Sequence, residues 1–346
     1  MAITDVTIYG AGIFGLSIGW ACLKRGARVQ IIDPNGPGGG ASGGIVGALA
    51  PHVPDMWNDK KQFQYESLIM APEFWRDVDQ VSGLASGYNR SGRIQPLVDA
   101  RAVEFARLRI DGARDLWHGK AEWQVLERDP APGWAPDSPT GFWVFDSLSA
   151  RMSPRHAAAS LAAAIQARGG RIETDAAAKG AVIWATGVAG LAELSGVFGK
   201  PVGSAVKGQS ALLDLDRRDQ PQLFADGVHI IPHDDGTCAV GSTSERDFDS
   251  PDNTDFRLDD VLEKARALSP ALRDAPVLER WAGLRPRAKS RSPILGGWPG
   301  RPGHFIANGG FKIGFGMAPK VAETMADLVL EGRDQIPDGF RVTACL

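Results

Sequence analysis

Residues 6–33 read VTIYGAGIFGLSIGWACLKRGARVQIID, and this stretch decides the fold. A short apolar, β-branched run leads into a turn that has glycine at positions 10, 12 and 15. An apolar helical pattern then stops at Arg25-Gly26, and a second apolar run ends in Asp33. This order of strand, glycine turn, helix, strand and acid is that of the dinucleotide-binding βαβ unit. We therefore expect a Rossmann-type α/β fold that binds a dinucleotide.

Each glycine of this turn has a separate physical task. Gly10 permits the tight turn, Gly12 lets the backbone approach a pyrophosphate, and Gly15 lets the helix lie close to the strand. The helix N-terminus offers free N–H groups and a positive dipole end to phosphates. Asp33 can accept hydrogen bonds from an adenosine ribose, and its charge would repel the 2′-phosphate of NADP.

The residues beyond Asp33 favour FAD over NAD. The segment 38–51, GGGASGGIVGALAP, consists of small and apolar residues, and a loop of this kind suits close passage of the backbone along an extended cofactor. An NAD dehydrogenase more often begins a second βαβ unit at this point. Further along, AVIWATG at 181–187 is a second buried strand that ends in a glycine turn. Together these segments predict a two-domain flavoprotein.

The chain resembles the D-amino acid oxidase superfamily of FAD-dependent oxidoreductases, in particular its glycine oxidase-like and sarcosine oxidase-like branch. The resemblance extends over nearly the whole length, and the order and spacing of the motifs carry it. Besides residues 10–33, the matching segments are 41–51, 91–97, 153–170, 182–187, 206–213, 228–245, 281–297 and 309–332.

The resemblance implies a Rossmann-type FAD domain and a discontinuous substrate domain whose antiparallel sheet covers the flavin. The FAD domain would comprise residues 1–50, 150–205 and 289–346. The substrate domain would comprise residues 51–149 and 206–288. The family usually inserts a β-meander ahead of the second glycine-turn strand, whereas this chain is short there. The effect of this shortened segment on FAD binding is left open.

Local patterns predict several further elements. A strand is expected at 237–242 after an Asp-Asp-Gly turn. Helices are expected at 157–167, 258–268 and 320–330. The proline-rich segment 133–139 is expected to be an exposed loop.

The resemblance implies four residues for substrate chemistry. Arg285, in Gly-Leu-Arg-Pro, lies where the family binds the substrate carboxylate, and a bidentate arginine suits that task. Lys312 lies where relatives place a cation beside the flavin. His229 lies where glycine oxidase relatives place a substrate-facing tyrosine, and it could donate a hydrogen bond or titrate near neutral pH. His52 ends the loop that should pass the flavin.

The glycine turns, the small-residue loop and the segment before the last helix supply the expected cofactor contacts. Ser42 resembles the position whose hydroxyl meets the pyrophosphate. No cysteine lies in the C-terminal flavin-contact segment, so FAD is expected to be held without a covalent bond. The expected contact residues are Gly10, Gly12, Ile13, Phe14, Gly15, Asp33, Ala41, Ser42, Gly47, Ala48, Leu49, Thr186, Gly187, Gly310, Phe311, Lys312 and Ile313.

The expected function is oxidation of the C–N bond of a small amino acid or secondary amine. Hydride passes to flavin N5, giving an imine and then a 2-oxo acid, with O2 or a quinone as acceptor. One alternative is FAD-dependent oxidation of a carboxymethylaminomethyl group on a tRNA wobble uridine, suggested by segment 41–51. Another is a non-catalytic flavin-bound scaffold, suggested by the shortened segment 173–181.

Composition limits the remaining choices. The 346 residues carry 38 Lys+Arg against 41 Asp+Glu, a formal charge of −3, so a nucleic-acid partner is not expected. The three cysteines are far apart and lack metal-ligand spacing, so neither a disulfide framework nor a metal site is expected. We find no basic n-region at the start and no apolar run of about 20 residues. A cytoplasmic protein without a membrane span is expected, and homo-oligomerisation is left open.

Overall fold

A computed structural model describes residues 5–346. Residues 1–4, which begin the predicted FAD domain and bear on the expected lack of a signal peptide, lie outside the described residues. The helices are α1 Ile13–Lys24, α2 Asp59–Ser82, α3 Ala100–Leu116, α4 Pro154–Ala167, α5 Gly187–Phe198, α6 Phe256–Leu268 and α7 Gly314–Glu331. The strands are β1 Val6–Tyr9, β2 Val29–Ile32, β3 Ala48–Leu49, β4 Arg93–Pro96, β5 Trp123–Leu126, β6 Trp143–Asp146, β7 Ala150–Arg151, β8 Arg171–Glu173, β9 Ala181–Trp184, β10 Gly203–Asp214, β11 Gln222–Ala225, β12 Val228–Pro232, β13 Thr237–Gly241, β14 Val277–Ala288, β15 Ile294–Gly297 and β16 His304–Asn308.

Six of the described strands form a mostly parallel sheet in the order β15-β16-β9-β1-β2-β8. Only β15 runs antiparallel to its neighbour. The apolar helix α1 packs against α4 and α7, and their side chains form one core with those of β1 and β2. Tyr9 pairs with Trp184 at the carboxyl ends of β1 and β9, so the two glycine turns emerge side by side. In an open α/β sheet, ligands bind at this edge.

Eight strands form a second sheet in the order β14-β10-β13-β12-β11-β4-β6-β5. All neighbours are antiparallel except β11 and β4. Helix α6 packs against it over a separate apolar core. The α/β fold class with a discontinuous second sheet is thus confirmed. The domain boundaries stay a prediction, and α2, from the segment assigned to the substrate domain, packs against α4 and α7.

The predicted helices and the predicted strand are present, but the helices begin earlier than expected. The exposed loop at 133–139 is wrong in one respect: Trp134 is 2% exposed, and its Nε1 donates to the carbonyl of Pro221 at 2.9 Å. Its ring joins the core of the eight-stranded sheet. Proline excluded regular structure here without excluding burial.

The connection between β8 and β9 is short. Residues 174–180 contain no strand, as the sequence predicted, and lead directly from one strand to the next. They are attached to the sheet through Thr7 Oγ1, which donates to Lys179 O at 2.7 Å, and Gln30 Nε2, which donates to Ala177 O at 3.1 Å. Among the described helices, none is both long and apolar enough to cross a membrane.

Candidate active site

The first glycine turn is packed so tightly that two positions admit no side chain. Gly10 has φ of +103°, and a Cβ there would lie 2.4 Å from the carbonyl oxygen of Ala185. A Cβ on Gly15 would lie 1.9 Å from the carbonyl oxygen of Gly10. Helix α1 therefore starts in direct contact with the turn, and the turn contacts the strand end of β9.

Two later side chains hold this turn in place. Gly12 precedes α1 and has no side chain to cap it, and Ser42 Oγ instead accepts a hydrogen bond from the N–H of Ile13 at 2.9 Å. Asp33 Oδ2 accepts from the N–H of Ala11 at 2.7 Å. The hydroxyl and the carboxylate expected to meet a nucleotide thus lie against the same turn.

A cavity of about 1200 Å³ opens at this edge, and residues from both sheets line it. Every residue in the predicted catalytic and cofactor sets lines the cavity except Gly15 and Leu49. Gly15 lies against Gly10, and Leu49 belongs to the apolar core. The structure therefore brings together segments that are hundreds of residues apart in sequence.

Arg285 extends from β14 into the cavity wall. Its NH1 donates to the carbonyl of Thr243 at 3.1 Å, and its NH2 donates to Ser242 Oγ at 2.7 Å. Within residues 5–346 it has no carboxylate partner at salt-bridge distance. Burial lowers the pKa of Arg285 to about 10, so the guanidinium still carries its charge at neutral pH.

His229, on β12, lies against the ring of Phe224, with 4.5 Å between the ring centroids. Its Nδ1 is buried and has no hydrogen-bond partner among the described residues. Burial, followed by the charges of Arg93, Lys312 and Arg285, lowers the pKa of His229 to about 3. The expectation that this histidine titrates near neutral pH is therefore wrong: the ring is neutral in the folded protein.

Replacing His229 with glutamine should reduce the loss of stability in mild acid. The folded protein binds no proton here until about pH 3, whereas the unfolded chain binds one near pH 6.5. The contribution of a neutral His229 to the free energy of unfolding is therefore fully present above pH 6.5 and decreases as the pH falls, by about 2 kcal/mol at pH 5. Between pH 7.5 and 5 the Tm should fall roughly 4 °C further in the wild type than in H229Q. An equal fall in both would contradict a neutral His229, and H118Q, at an exposed histidine, is the control.

Lys312 and His52 complete the predicted substrate set. Lys312 Nζ lies 5.7 Å from the centroid of the Phe311 ring. Burial of its ammonium and the charges of Arg285 and Arg287 lower the pKa of Lys312. His52 Nδ1 is hydrogen-bonded to Gln64 Oε1, and burial lowers its pKa.

The cavity has few acidic groups. Among the described residues that line it, Asp33 and Asp252 are the only acids, and the cations are Arg93, Arg285 and Lys312. Arg93 is neutralised by the buried carboxylate of Asp146, with 3.0 Å between Nε and Oδ2. Arg285 and Lys312 are not neutralised in this way by any described residue, so the wall of the second sheet favours an anionic ligand.

Sequence reasoning did not select several residues that shape this wall. Gly208 is one, because a Cβ there would lie 1.8 Å from Arg285 NH1. Arg93 and Gly208 lie in quoted motifs, at 91–97 and 206–213, but no pattern indicated that they reach the site. The cavity is also lined by Gln64, Phe224, Ser242 and Trp281, which sequence reasoning did not select.

Comparison with known proteins identifies the family to which this chain belongs. The family described as "DAO: FAD dependent oxidoreductase" matches residues 5–328. The chain belongs to this family. Membership confirms FAD as the cofactor and an oxidoreductase as the class of enzyme.

The individual relatives have low sequence identity to this chain. The bifunctional protein ThiO/ThiG of Trichormus variabilis is 26% identical over 355 residues, which cover 94% of this chain and 53% of that protein. The chain thus spans about half the length of the first curated relatives it matches. A glycine oxidase of Pseudomonas aeruginosa is 26% identical over 386 residues, covering 96% of both. The crystal structure of glycine oxidase from Geobacillus kaustophilus superposes with a TM-score of 0.83 at 22% identity, covers 98% of both chains and shares the fold.

Proposed function

We propose that this member of the FAD-dependent oxidoreductase family oxidises the C–N bond of a small amino acid or secondary amine that carries a carboxylate. FAD, when bound, supplies the acceptor for the hydride that leaves the substrate α-carbon. The imine that remains hydrolyses to a 2-oxo acid and ammonia or an amine. The two electrons pass on to O2 or to a quinone. The names of the glycine oxidase relatives support this substrate class.

The state of Arg285 is the observation that carries the proposal. Its guanidinium lines the cavity, keeps its charge and bonds only neutral oxygens among the described groups. Those two hydrogen bonds use two of its five N–H donors, so three are left for a ligand. A charged group held this way in a partly desolvated wall binds an anion strongly, and a planar carboxylate matches the arginine fork.

The rest of the cavity suits FAD. The turns at Gly10 and Gly187 lie at neighbouring strand ends, where an extended nucleotide can approach backbone N–H groups and helix N-termini. Gly187, with φ of +59°, has no atom within 4 Å of where a Cβ would lie, so the second turn leaves room for a bound group. On the opposite side Gly310 lies against the Phe14 ring, because a Cβ there would lie 3.0 Å from that ring, so the segment before α7 lies close to the first glycine turn.

Lys312 and His229 have complementary roles in this proposal. The ammonium of Lys312 adds a second positive charge beside the substrate. A neutral His229 adds none and can share a hydrogen bond. Positive surroundings of low polarity lower the pKa of a bound ammonium, which favours the neutral amine that C–N oxidation requires.

The alternatives receive less support. A family of oxidoreductases favours an enzyme over a flavin-bound scaffold. Oxidation of a modified tRNA uridine breaks a similar bond, but no contact described above favours an RNA.

A visible spectrum of the FAD-loaded protein tests the proposal directly. Under anaerobic conditions the protein is titrated with glycine, sarcosine, and D- and L-amino acids, each beside its amide as a matched probe without the carboxylate. We expect one carboxylated amine to bleach the flavin band and its amide to fail at the same concentration. A protein that none of them reduces would oppose the proposal and favour the uridine or scaffold alternative. Air reoxidation then distinguishes O2 from a quinone.

A further inference from the structure

The segment that follows β13 and accepts hydrogen bonds from Arg285 pairs irregularly with β10. β13 pairs with β10 up to Gly241, which lies opposite Ser210. Beyond that point the N–H of Thr243 donates to the carbonyl of Gln209 at 3.2 Å. Ser242 is thus an extra residue with no backbone partner on β10 within the described chain, which makes this segment a β-bulge.

The next pair returns to regular bonding. Lys207 and Glu245 exchange two backbone hydrogen bonds of 2.9 Å each. The irregularity is therefore confined to Ser242 and Thr243, and both residues accept hydrogen bonds from the Arg285 guanidinium.

Thr243 uses its side chain where a strand normally uses its backbone. The N–H of Gln209 donates to Thr243 Oγ1 at 2.8 Å, although a regular antiparallel pair would direct it to the carbonyl of Thr243. The carbonyl is thereby released from the ladder and accepts from Arg285 NH1 instead. Valine has nearly the same shape as threonine but could not make this exchange.

Glu245 determines how the Thr243 hydroxyl is oriented. The hydroxyl donates to Glu245 Oε1, which also accepts from Gln209 Nε2 at 2.9 Å. Because the hydrogen of the hydroxyl points to the carboxylate, its lone pairs face the N–H of Gln209. Glu245 is 8% exposed, and the ammonium of Lys207, 2% exposed, lies 3.9 Å from Oε2. The carboxylate is therefore fixed and charge-balanced.

Gly208 provides the space for this arrangement. It lies between Lys207 and Gln209, and its missing side chain is what lets the guanidinium rest on β10. A side chain there would push Arg285 away from Ser242 and Thr243.

We infer that Thr243, oriented by Glu245, is a positioning residue that directs the Arg285 guanidinium toward the substrate carboxylate. This inference rests on the proposed function. The bulge turns the Thr243 carbonyl and the Ser242 hydroxyl toward two guanidinium nitrogens and leaves the other donors to the ligand.

The test measures the Kd of acetate for the FAD-loaded enzyme from the change in its visible spectrum, with acetamide as the uncharged probe. In T243V we expect acetate to bind about tenfold more weakly, the loss of roughly one positioned charge-assisted contact, while acetamide binding stays constant. T243S keeps the hydroxyl and should restore the wild-type Kd. T237V removes a threonine hydroxyl that bonds Asp235 at the far end of β13, and it should leave both Kd values unchanged.

A variant of the arginine itself, R285Q, separates this inference from the proposed function. If R285Q weakens acetate binding but T243V does not, the positioning role is overturned while the carboxylate site stands. If R285Q has no effect, the proposed function itself fails. Equal weakening of acetate and acetamide in T243V would indicate general damage and would also overturn the inference. If T243V does not fold, T243A is compared with T243S in the same way.

Discussion

Replacing Arg285 with glutamine should raise the KM for a carboxylated amine about a hundredfold and leave the FAD content unchanged. Removing one member of a desolvated, hydrogen-bonded charge pair costs about 2–5 kcal/mol, and 2.7 kcal/mol is a factor of about one hundred. Glutamine keeps a polar group near Ser242 and Thr243 but has neither the charge nor the fork. The substitution should therefore weaken binding of the substrate carboxylate specifically.

Steady-state kinetics of R285Q with an amino acid and with its amide measures this effect. The wild type should prefer the acid strongly, and R285Q should lose most of that preference. R280Q is the matched control, because Arg280 lies on the same strand and pairs with Asp259 at the surface. An unchanged KM in R285Q would remove Arg285 from the substrate site. A loss of FAD would show instead that the residue supports the cofactor.

The Rossmann unit could be predicted because its determinants are local. The turn at Gly10, the helix that follows and the acid at Asp33 lie within one short segment, and each has a steric or electrostatic reason to be where it is. The residues expected at the cofactor, except Gly15 and Leu49, also line the cavity, because the carboxyl ends of neighbouring parallel strands must meet at one edge.

The bulge that surrounds Arg285 could not be predicted in the same way. Gly208 and Thr243 are 35 residues apart, and their contact with Arg285 depends on a one-residue shift between β10 and β13. Nothing in the letters GSTSE marks Ser242 as the unpaired residue. The neutral state of His229 also follows from three-dimensional packing, because burial of the ring, and then three cations from distant segments, lower its pKa.

The burial of Trp134 also could not be predicted from the sequence. Turn-forming residues predict where regular structure stops, since they act through their own backbone. They do not predict whether the loop then covers a core. That depends on the apolar surface that β-strands far away in sequence leave uncovered, so a loop rich in proline can still contribute a buried indole.

Replacing Gly15 with alanine should remove most of the bound FAD and lower the Tm, whereas the same change at Gly196 should be harmless. Both glycines lie inside helices, α1 and α5. The added methyl at Gly15 would lie 1.9 Å from the carbonyl oxygen of Gly10, a backbone atom that cannot move without opening the turn. At Gly196 the methyl would meet nothing within 4 Å. Alanine there should even stabilise the helix, by about 0.5–1 kcal/mol.

The G15A effect should appear in two measurements on the purified protein. Overpacking costs about 1–3 kcal/mol or more, so unfolding should begin at a lower temperature than in the wild type. FAD per polypeptide, from the visible and ultraviolet absorbance, should fall sharply, because a turn that has opened no longer presents its N–H groups to the pyrophosphate. A loss of only 1.4 kcal/mol is already tenfold in affinity. If G15A kept full FAD and the wild-type Tm, close contact between α1 and the turn would be dispensable. The fold would then hold its cofactor through Ser42, Asp33 and the second glycine turn. The G196A control shows whether a loss in G15A could come from alanine in a helix as such.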